Sequence, residues 1–410
     1  MSQAKRKGWI PRKLNELGFV GRGKSRHRPR NDPSLYGGIY PLIQTAEVTA
    51  SEFYITEYSQ TYSEAGLAQS KMWDENTLCI VNAGENTAET AILKFRACFP
   101  DSIIAFIADP KKSDVRFVKY YLSVIKSQLR SVTKGATQDN LSVEKLLAFD
   151  IFTPPIVTQH KIADILSAYE DLIENNTRQM EILEEMAQLI YREWFVNFCF
   201  PGYEQVKMTD LGIPEHWDIK NLSSIAQITM GQSPKSEFYN TQVEGLPFHQ
   251  GVANFGVRFP IDMIYCTVFN RIAEAGDILF SVRAPVGRLN IANKKIIIGR
   301  GLCGIRSKTG HQAFIFQQLK DKFQEEDVMG SGTIFKSVTK ADMETVKMLV
   351  PPLSLLDGFE NYLQPIYRNL EIATAENANL RKTRDFLLPK LISGEIDLEK
   401  IDTPELILCT

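Results

Sequence analysis

The chain has 410 residues, 44% hydrophobic and 23% charged, with a formal net charge of −2. That is ordinary for a globular protein with two or three full cores, and it argues against wholesale disorder. No apolar run reaches the length needed to cross a bilayer, and the basic N-terminus has no apolar stretch behind it, so neither a membrane span nor a secretory signal is expected. The six cysteines (Cys79, Cys98, Cys199, Cys266, Cys303 and Cys409) are scattered without a CxxC or a nearby histidine at ligand spacing. This fits a reduced, cytoplasmic setting and no metal site.

The near-neutral total hides a segregation of charge. Between Gln3 and Arg30 there are ten Lys or Arg against one acid, Glu16. Between His160 and Phe198 there are eight acids against three Lys or Arg. A basic arm therefore precedes an acidic helix. The chain also repeats itself with an offset of 197 residues, which sets Leu141, Leu146, Pro154, Pro155, Leu166, Ile173 and Leu183 on Val338, Met343, Pro351, Pro352, Leu363, Leu370 and Leu380. Gly135 falls on Gly332 in the same way, and each copy has a tryptophan near its start, Trp9 and Trp217. One scaffold presenting two unlike surfaces is the expectation.

In chain order, the first block (1–155) mixes short β-rich runs with short helices. Its candidate strands are Leu78–Val81 and Ile103–Ile107, and a helical pattern follows at Val115–Leu129. A first long helix is expected over 156–197, a polar, turn-rich joint over 198–213, and a second block over 214–352. That block holds candidate strands Ile278–Val282 and Ile296–Ile298 and a helix near Ala313–Phe323. A second long helix (353–394) and a tail (395–410) complete the chain. Strands and helices do not alternate regularly, so the fold class is α+β: two α/β domains joined by two long helices, with an internal pseudo-two-fold repeat.

The long segments carry the clearest periodicity. Apolar residues recur at 4/3 spacing at Ile162, Leu166, Tyr169, Ile173, Met180, Leu183, Ala187, Ile190 and Trp194, interrupted by Asn176. The second stripe runs Phe359, Leu363, Ile366, Leu370, Ala373, Leu380, Leu387 and Leu391, interrupted by Asn377 and Arg384. Two matched stripes, each roughly 48 Å long at about 1.5 Å per residue, favour pairing with each other as an antiparallel coiled coil over separate packing on their own domains. Pairing about a shared centre sets Asn176 against Asn377, and such an asparagine pair penalises slipped registers.

Several motifs suggest chemistry. Residues 18–25 match G-x-x-x-x-G-K-S, the phosphate-cradling pattern, but that loop needs a buried strand before it and a helix after it. Pro29 and Pro33 make the helix improbable, so nucleotide hydrolysis is not expected. The Pro pairs resemble the base-flipping motif of DNA amino-methyltransferases, yet both lack its Asx and its aromatic residue. They read instead as helix starts. With only five histidines and no nucleophile motif, no catalytic constellation rises above background.

What does stand out is a set of polar and basic residues among Gly and Pro that suits DNA. In the first copy these are Arg22, Lys24, Arg26, His27, Arg28, Arg30, Gln44 and Lys134; in the second, Gln232, Ser233, Lys235, Gln250, Arg283, Arg288 and Lys336. Cations can track phosphates, Arg can take guanine bidentately, and Gln can read the adenine N6/N7 edge. Gln44 and Gln250 hold matching places after Pro41 and Pro247.

The segments 21–48 (GRGKSRHRPRNDPSLYGGIYPLIQTAEV), 134–146 (KGATQDNLSVEKL) and 190–198 (IYREWFVNF) resemble DNA specificity subunits of type I restriction–modification systems. So do 231–234 (GQSP), 280–292 (FSVRAPVGRLNIA), 330–338 (GSGTIFKSV) and 387–398 (LLPKLISGEIDL). The resemblance spans essentially the whole chain. It implies two target-recognition domains, each reading half of a bipartite, asymmetric double-stranded site, with the long helices as spacer and docking surface. It also implies two modification subunits that bind S-adenosylmethionine and methylate adenine, and restriction subunits that consume ATP with Mg2+, while this chain binds no cofactor and catalyses nothing. A stand-alone DNA methyltransferase or nuclease is the alternative. A stripe roughly 48 Å long exceeds one turn of B-DNA, about 34 Å, so helix length is expected to fix the gap between half-sites.

Overall fold

The computed structural model describes residues 8–132, 140–323, 328–329, 333–334 and 337–398. It falls into two compact units, Met1–Ile173 with Asn379–Thr410, and Glu174–Ala378. Each unit therefore contains one globular block and a part of both long helices.

In unit 1 a five-stranded sheet has the order Gly18–Arg22, Ile103–Ala108, Leu78–Val81, Thr90–Leu93, Tyr54–Ile55. Leu78–Val81 and Thr90–Leu93 are buried on every residue, and the first of them reads in the sequence as an unbroken apolar run and not as alternation. A second sheet runs Gln60–Tyr62, Tyr36–Leu42, Ala97–Cys98, Met72–Trp73. Unit 2 repeats the plan. Its first sheet is ordered Ala226–Met230, Leu302–Ser307, Ile278–Ser281, Leu289–Ile291, and its second is Tyr239–Asn240, Tyr265–Cys266, Leu246–His249, Ile296–Ile298, Ile272–Ala273. In both units the leading strand follows a four-residue helix, Leu14–Leu17 or Leu222–Ile225. The expected helix at Val115–Leu129 is two helices, Val115–Val124 and Lys126–Ser131, because the chain leaves helical geometry at Ile125.

Each Pro pair sits between a strand and a long helix. Ile151–Thr153 pairs with the entering chain at Ile10–Arg12, and Lys347–Val350 pairs with Asp218–Asn221. Proline has no N–H for a ladder and its φ is preset for a first helical turn, so the strand stops and the helix begins. The two helices run Ile156–Phe195 and Leu353–Ile392, forty residues each.

The helices are antiparallel. In unit 1, Ile162 and Leu166 share a buried core with Leu391 and Ile392, closed by Phe117, Leu146 and Ile151 of the globular block. In unit 2, Ala187, Tyr191 and Phe195 share a core with Leu356, Phe359 and Leu363, closed by Trp217 and Phe314. The Phe195 ring lies 4.8 Å from those of both Phe314 and Phe359. Nearer the middle, Met180 packs with Leu370 and Ala373, and Leu183 is half-buried beside them. Ile190, Leu380 and Leu387 are half-buried as well. Both kinds of break in the stripe are satisfied. Asn176 Nδ2 donates to Asn377 Oδ1 at 3.1 Å, and Arg384 Nη1 donates to Glu170 Oε2 at 2.9 Å.

The duplication also preserves a histidine–aspartate contact with its partners exchanged. Asp114, which caps the Val115–Val124 helix, meets His160 Nδ1 at 2.8 Å. Offset by 197 residues, His311 Nε2 meets Asp357 at 2.9 Å. Each contact ties a short helix of the block to the first turns of the long helix that follows. Burial pushes the Asp114 carboxyl up, but hydrogen bonds from Arg116 and His160 outweigh it and hold the group below the usual range.

The segment read as a joint is turn-rich but anchored in unit 2: Phe200 is buried in that core, and Met208 bridges to Pro214. The part of the tail that is described carries Leu398 into the core of unit 1.

Candidate nucleic-acid interface

At the end of the leading strand of unit 1, Gly23 N–H donates to Ile103 O at 2.9 Å and Lys24 N–H donates to Phe99 O at 3.0 Å. A Cβ on Gly23 would lie 2.1 Å from Pro100 O, so the glycine is required by the approach of two backbones. The phosphate-loop pattern fails here on geometry. Residues 18–22 are themselves a strand, a four-residue helix precedes them and no helix follows at 23–31. The amides of Gly23 and Lys24, which a phosphate would need, already donate to carbonyls.

The turn at 99–102 organises the arm around it. Arg22 donates through Nε and Nη2 to Asp101 O at 3.2 and 2.8 Å, and Arg30 Nη2 reaches the Asp101 carboxylate at 2.7 Å. Asn82 Nδ2 donates to the same Asp101 carbonyl at 2.9 Å. Arg28 folds back on the carbonyls of Ser25 and His27, both at 2.8 Å. His27 Nε2 meets Asp32 at 3.0 Å. The Asp32 carboxyl is held below the usual range first by the Ser34 hydroxyl, then by the Ser34 amide and His27. Gln69 Oε1 accepts from the amides of Arg26 and His27 at 2.7 and 3.2 Å. Residues 22–32 of the basic arm are thus held at several points by hydrogen bonds, and they present the exposed Arg26 side chain and the half-buried Lys24.

Unit 2 builds the same corner with different side chains. Gly231 N–H donates to Leu302 O at 2.9 Å, Gln232 N–H to Ile298 O at 3.0 Å, and a Cβ on Gly231 would lie 2.2 Å from Gly299 O. Gly231-Gln232 therefore stands where Gly23-Lys24 stands. The Gly299-Arg300-Gly301 turn replaces Pro100-Asp101-Ser102. The next loop corresponds too: Asn82 N–H donates to Ser102 O at 3.0 Å, and Val282 N–H to Gly301 O at 2.9 Å. Gln44 and Gln250 each lie two residues past strand residues, Leu42 and Phe248, in parallel register with Cys98 and Ile297. Gln44 Nε2 donates to Gln60 Oε1 at 2.8 Å, whereas Gln250 is exposed and its carbonyl accepts from Gly301 N–H at 3.0 Å.

Of the remaining candidates, Ser233 Oγ accepts from Arg300 N–H at 3.2 Å, and Lys235 lies 3.8 Å from Glu237. Arg288 N–H donates to Ser281 Oγ at 2.8 Å. Gln232 and Arg283 are exposed. Lys134 and Lys336 lie outside the described residues, as do Cys409 and the Gly135 and Gly332 positions. The structure thus brings Arg22, Lys24 and Arg30 to one turn in unit 1, and Gln232, Ser233, Gln250 and Arg283 to one turn in unit 2. Lys235 is further along the loop. Two participants were missed from sequence, Asp101 and Arg300. Arg300 had a signal, since Gly-Arg-Gly at 299–301 repeats the triplet at 21–23.

Among the described residues no group of His, Cys, Asp and Glu could hold a metal, and no helix is long and apolar enough to cross a membrane. The chain matches the type I restriction modification DNA specificity domain twice, over residues 6–185 and 214–381. It belongs to that family. The family comprises DNA-recognition subunits with no catalytic centre of their own. The chain is 30% identical over 373 residues to a protein described as the MjaX type I restriction enzyme specificity subunit of Methanocaldococcus jannaschii, covering 87% of each chain. It is 26% identical over 416 residues to the MjaIX specificity subunit of the same organism, covering 96% of this chain and 95% of that one. Among solved structures it resembles the type I restriction–modification S subunit from M. genitalium, at 17% identity and a TM-score of 0.55, covering 95% of this chain and 98% of the other. That likeness concerns the fold. Two matched specificity domains in one chain agree with the duplication traced above.

Proposed function

We propose that this specificity subunit reads a bipartite, asymmetric double-stranded DNA site, one half with each repeat, and scaffolds the enzymes of its system. The observation that carries the reading is the pair of equivalent corners, built on the same backbone hydrogen bonds but furnished with unlike side chains. A shared scaffold with divergent polar tips is what two different half-sites require, because phosphate contacts position a reader and base-edge contacts specify it. The paired helices connect the two readers and offer a surface to two adenine-methylating subunits. S-adenosylmethionine, ATP and Mg2+ belong to the modification and restriction partners, and the assembly works in the cytoplasm, where the DNA is. The stand-alone enzyme alternative is disfavoured by the Pro pairs, which serve as helix starts in both copies.

The test is to sequence the methylome of cells carrying this chain with its modification subunits. One bipartite motif with unlike halves is expected, and methylation that follows no such motif would refute the reading. Arg26→Ala should weaken binding to a duplex carrying that motif and lower the slope of log K against log salt by about 0.9, the share of one phosphate contact. An unchanged slope in salt titrations would take Arg26 off the interface. Inserting seven residues into each long helix, two turns that preserve the apolar face, should lengthen the gap in the methylated motif while leaving both halves intact. The same gap after insertion would rule out the helices as the spacer.

A further inference from the structure

We propose that Arg300 is a base-contacting residue of the second repeat and takes a guanine edge within one half of the recognised site. The inference rests on the DNA-reading function above and assigns it to a residue. Four segments converge on the Gly299-Arg300-Gly301 turn: 231–236, 249–252, 281–288 and 298–302. They are joined by the bonds Gln232 N–H to Ile298 O, Gly301 N–H to Gln250 O and Val282 N–H to Gly301 O, at 2.9–3.0 Å. None of the four contains an Asp or Glu, while three arginines and a lysine fall within them (Arg283, Arg288, Arg300 and Lys235), and the lysine meets Glu237 just beyond at 3.8 Å.

The turn itself is rigid. A Cβ at position 299 would lie 2.8 Å from the Gln250 backbone, and one at 301 would lie 2.5 Å from Gln250 O. The Arg300 amide is fixed by Ser233 Oγ at 3.2 Å. Only one side chain can project from such a tip, and it is an exposed guanidinium flanked by the exposed Gln232, Gln250 and Arg283. The equivalent residue in unit 1 has the opposite charge and a different duty. Asp101 holds Arg22 and Arg30 and is a positioning residue. The first repeat therefore spreads its cations along a clamped arm, and the second concentrates recognition at one fixed fork. A planar fork of N–H donors on an immobile turn suits the O6 and N7 pair of guanine in the major groove.

The experiment uses the full chain with its modification subunits, in cells for the methylome and purified for binding. The binding probe is a duplex of about three helical turns (roughly 30 base pairs) that carries the wild-type motif, with a scrambled duplex of equal length beside it. Arg300→Ala should relax one guanine position in one half-site, leave the other half unchanged, and weaken binding to the motif duplex by about ten- to a hundredfold with little change on the scrambled one. Arg300→Gln should shift that position towards adenine, and unchanged thermal unfolding of both variants would confirm that an exposed side chain was removed without loss of fold. Wild-type specificity in Arg300→Ala overturns the assignment, as does equal weakening on both duplexes, which marks a phosphate contact. Full function in Arg300→Lys overturns it too, because a point charge lacks the fork. A wild-type complex that gives no bipartite motif brings down the DNA reading itself, a result distinct from all of these.

Discussion

Glu184→Ala should cost unit 2 about 3–5 kcal/mol, because it strands a buried charge. Glu184 projects from the first long helix and is 8% exposed on its side chain; Arg258, 6% exposed, comes from the globular block. Arg258 Nη1 donates to Glu184 Oε1 at 2.5 Å, and Lys320 Nζ reaches the other oxygen at 3.3 Å. The guanidinium also lies 3.7 Å from the centre of the Tyr367 ring and 5.1 Å from that of Phe316, so it sits among aromatic faces of the second long helix and the block. Burial pushes the Tyr367 hydroxyl up to about 12, which keeps it neutral beside the pair. Removing the carboxylate leaves the buried arginine without its counter-charge. Replacing both partners with apolar groups, Glu184→Leu with Arg258→Met, should recover most of the loss, since a packed apolar pair avoids both desolvation penalties. Urea unfolding together with hydrogen exchange over residues 312–322 measures both variants. A single variant as stable as wild type would show that the pair holds nothing together.

Part of the molecule is legible in the sequence and part is not, and both units show why. Leu78–Val81 and Ile296–Ile298 were legible because burial on both faces leaves an unbroken apolar run bounded by turn residues. Ala97–Cys98 and Met72–Trp73 were not, since two residues carry no period and exist as strands only through their neighbours. The stripes announced the helix pair, and the asparagines announced their own breaks in it. Arg384 was visible as an interruption, but its partner Glu170 is one of eight acids on a single helical stretch, and only packing selects it.

The interface follows the same rule. The density of arginines in residues 22–30 was readable, and its organisation was not. Asp101 lies 79 residues from Arg22 and 71 from Arg30 in sequence. Nothing local indicates that one turn collects both. The phosphate-loop match, already set aside because of Pro29 and Pro33, arises for a related reason. Its glycines satisfy a close approach between strand and turn, a demand that a pattern of spacings does not distinguish from nucleotide binding.

The seam of the helix pair is where a single substitution should do the most damage. Leu370 is fully buried between Met180 and Ala373, and Thr374, one turn further on, turns its hydroxyl back on the Leu370 carbonyl at 2.7 Å. Leu370→Ala should cost about 2–5 kcal/mol by transfer and cavity. Leu370→Asp adds the burial of an unpaired carboxylate and should unfold the helix pair of unit 2 altogether at neutral pH. The neighbouring asparagines predict the opposite sign. Asn377 is 4% exposed, and Asn176 is half-buried beside it. Their hydrogen bond supplies about 1 kcal/mol net, less than the burial of two leucines would add. The double change Asn176→Leu, Asn377→Leu should therefore raise stability while removing the contact that penalises a slipped register. Circular dichroism melts order the three proteins, and crosslinking between cysteines placed at 180 and 373 reports the register. A double variant that melts lower than wild type, or keeps a unique crosslink when the helices are expressed as separate peptides, would mean the asparagines stabilise the pair instead of selecting its alignment.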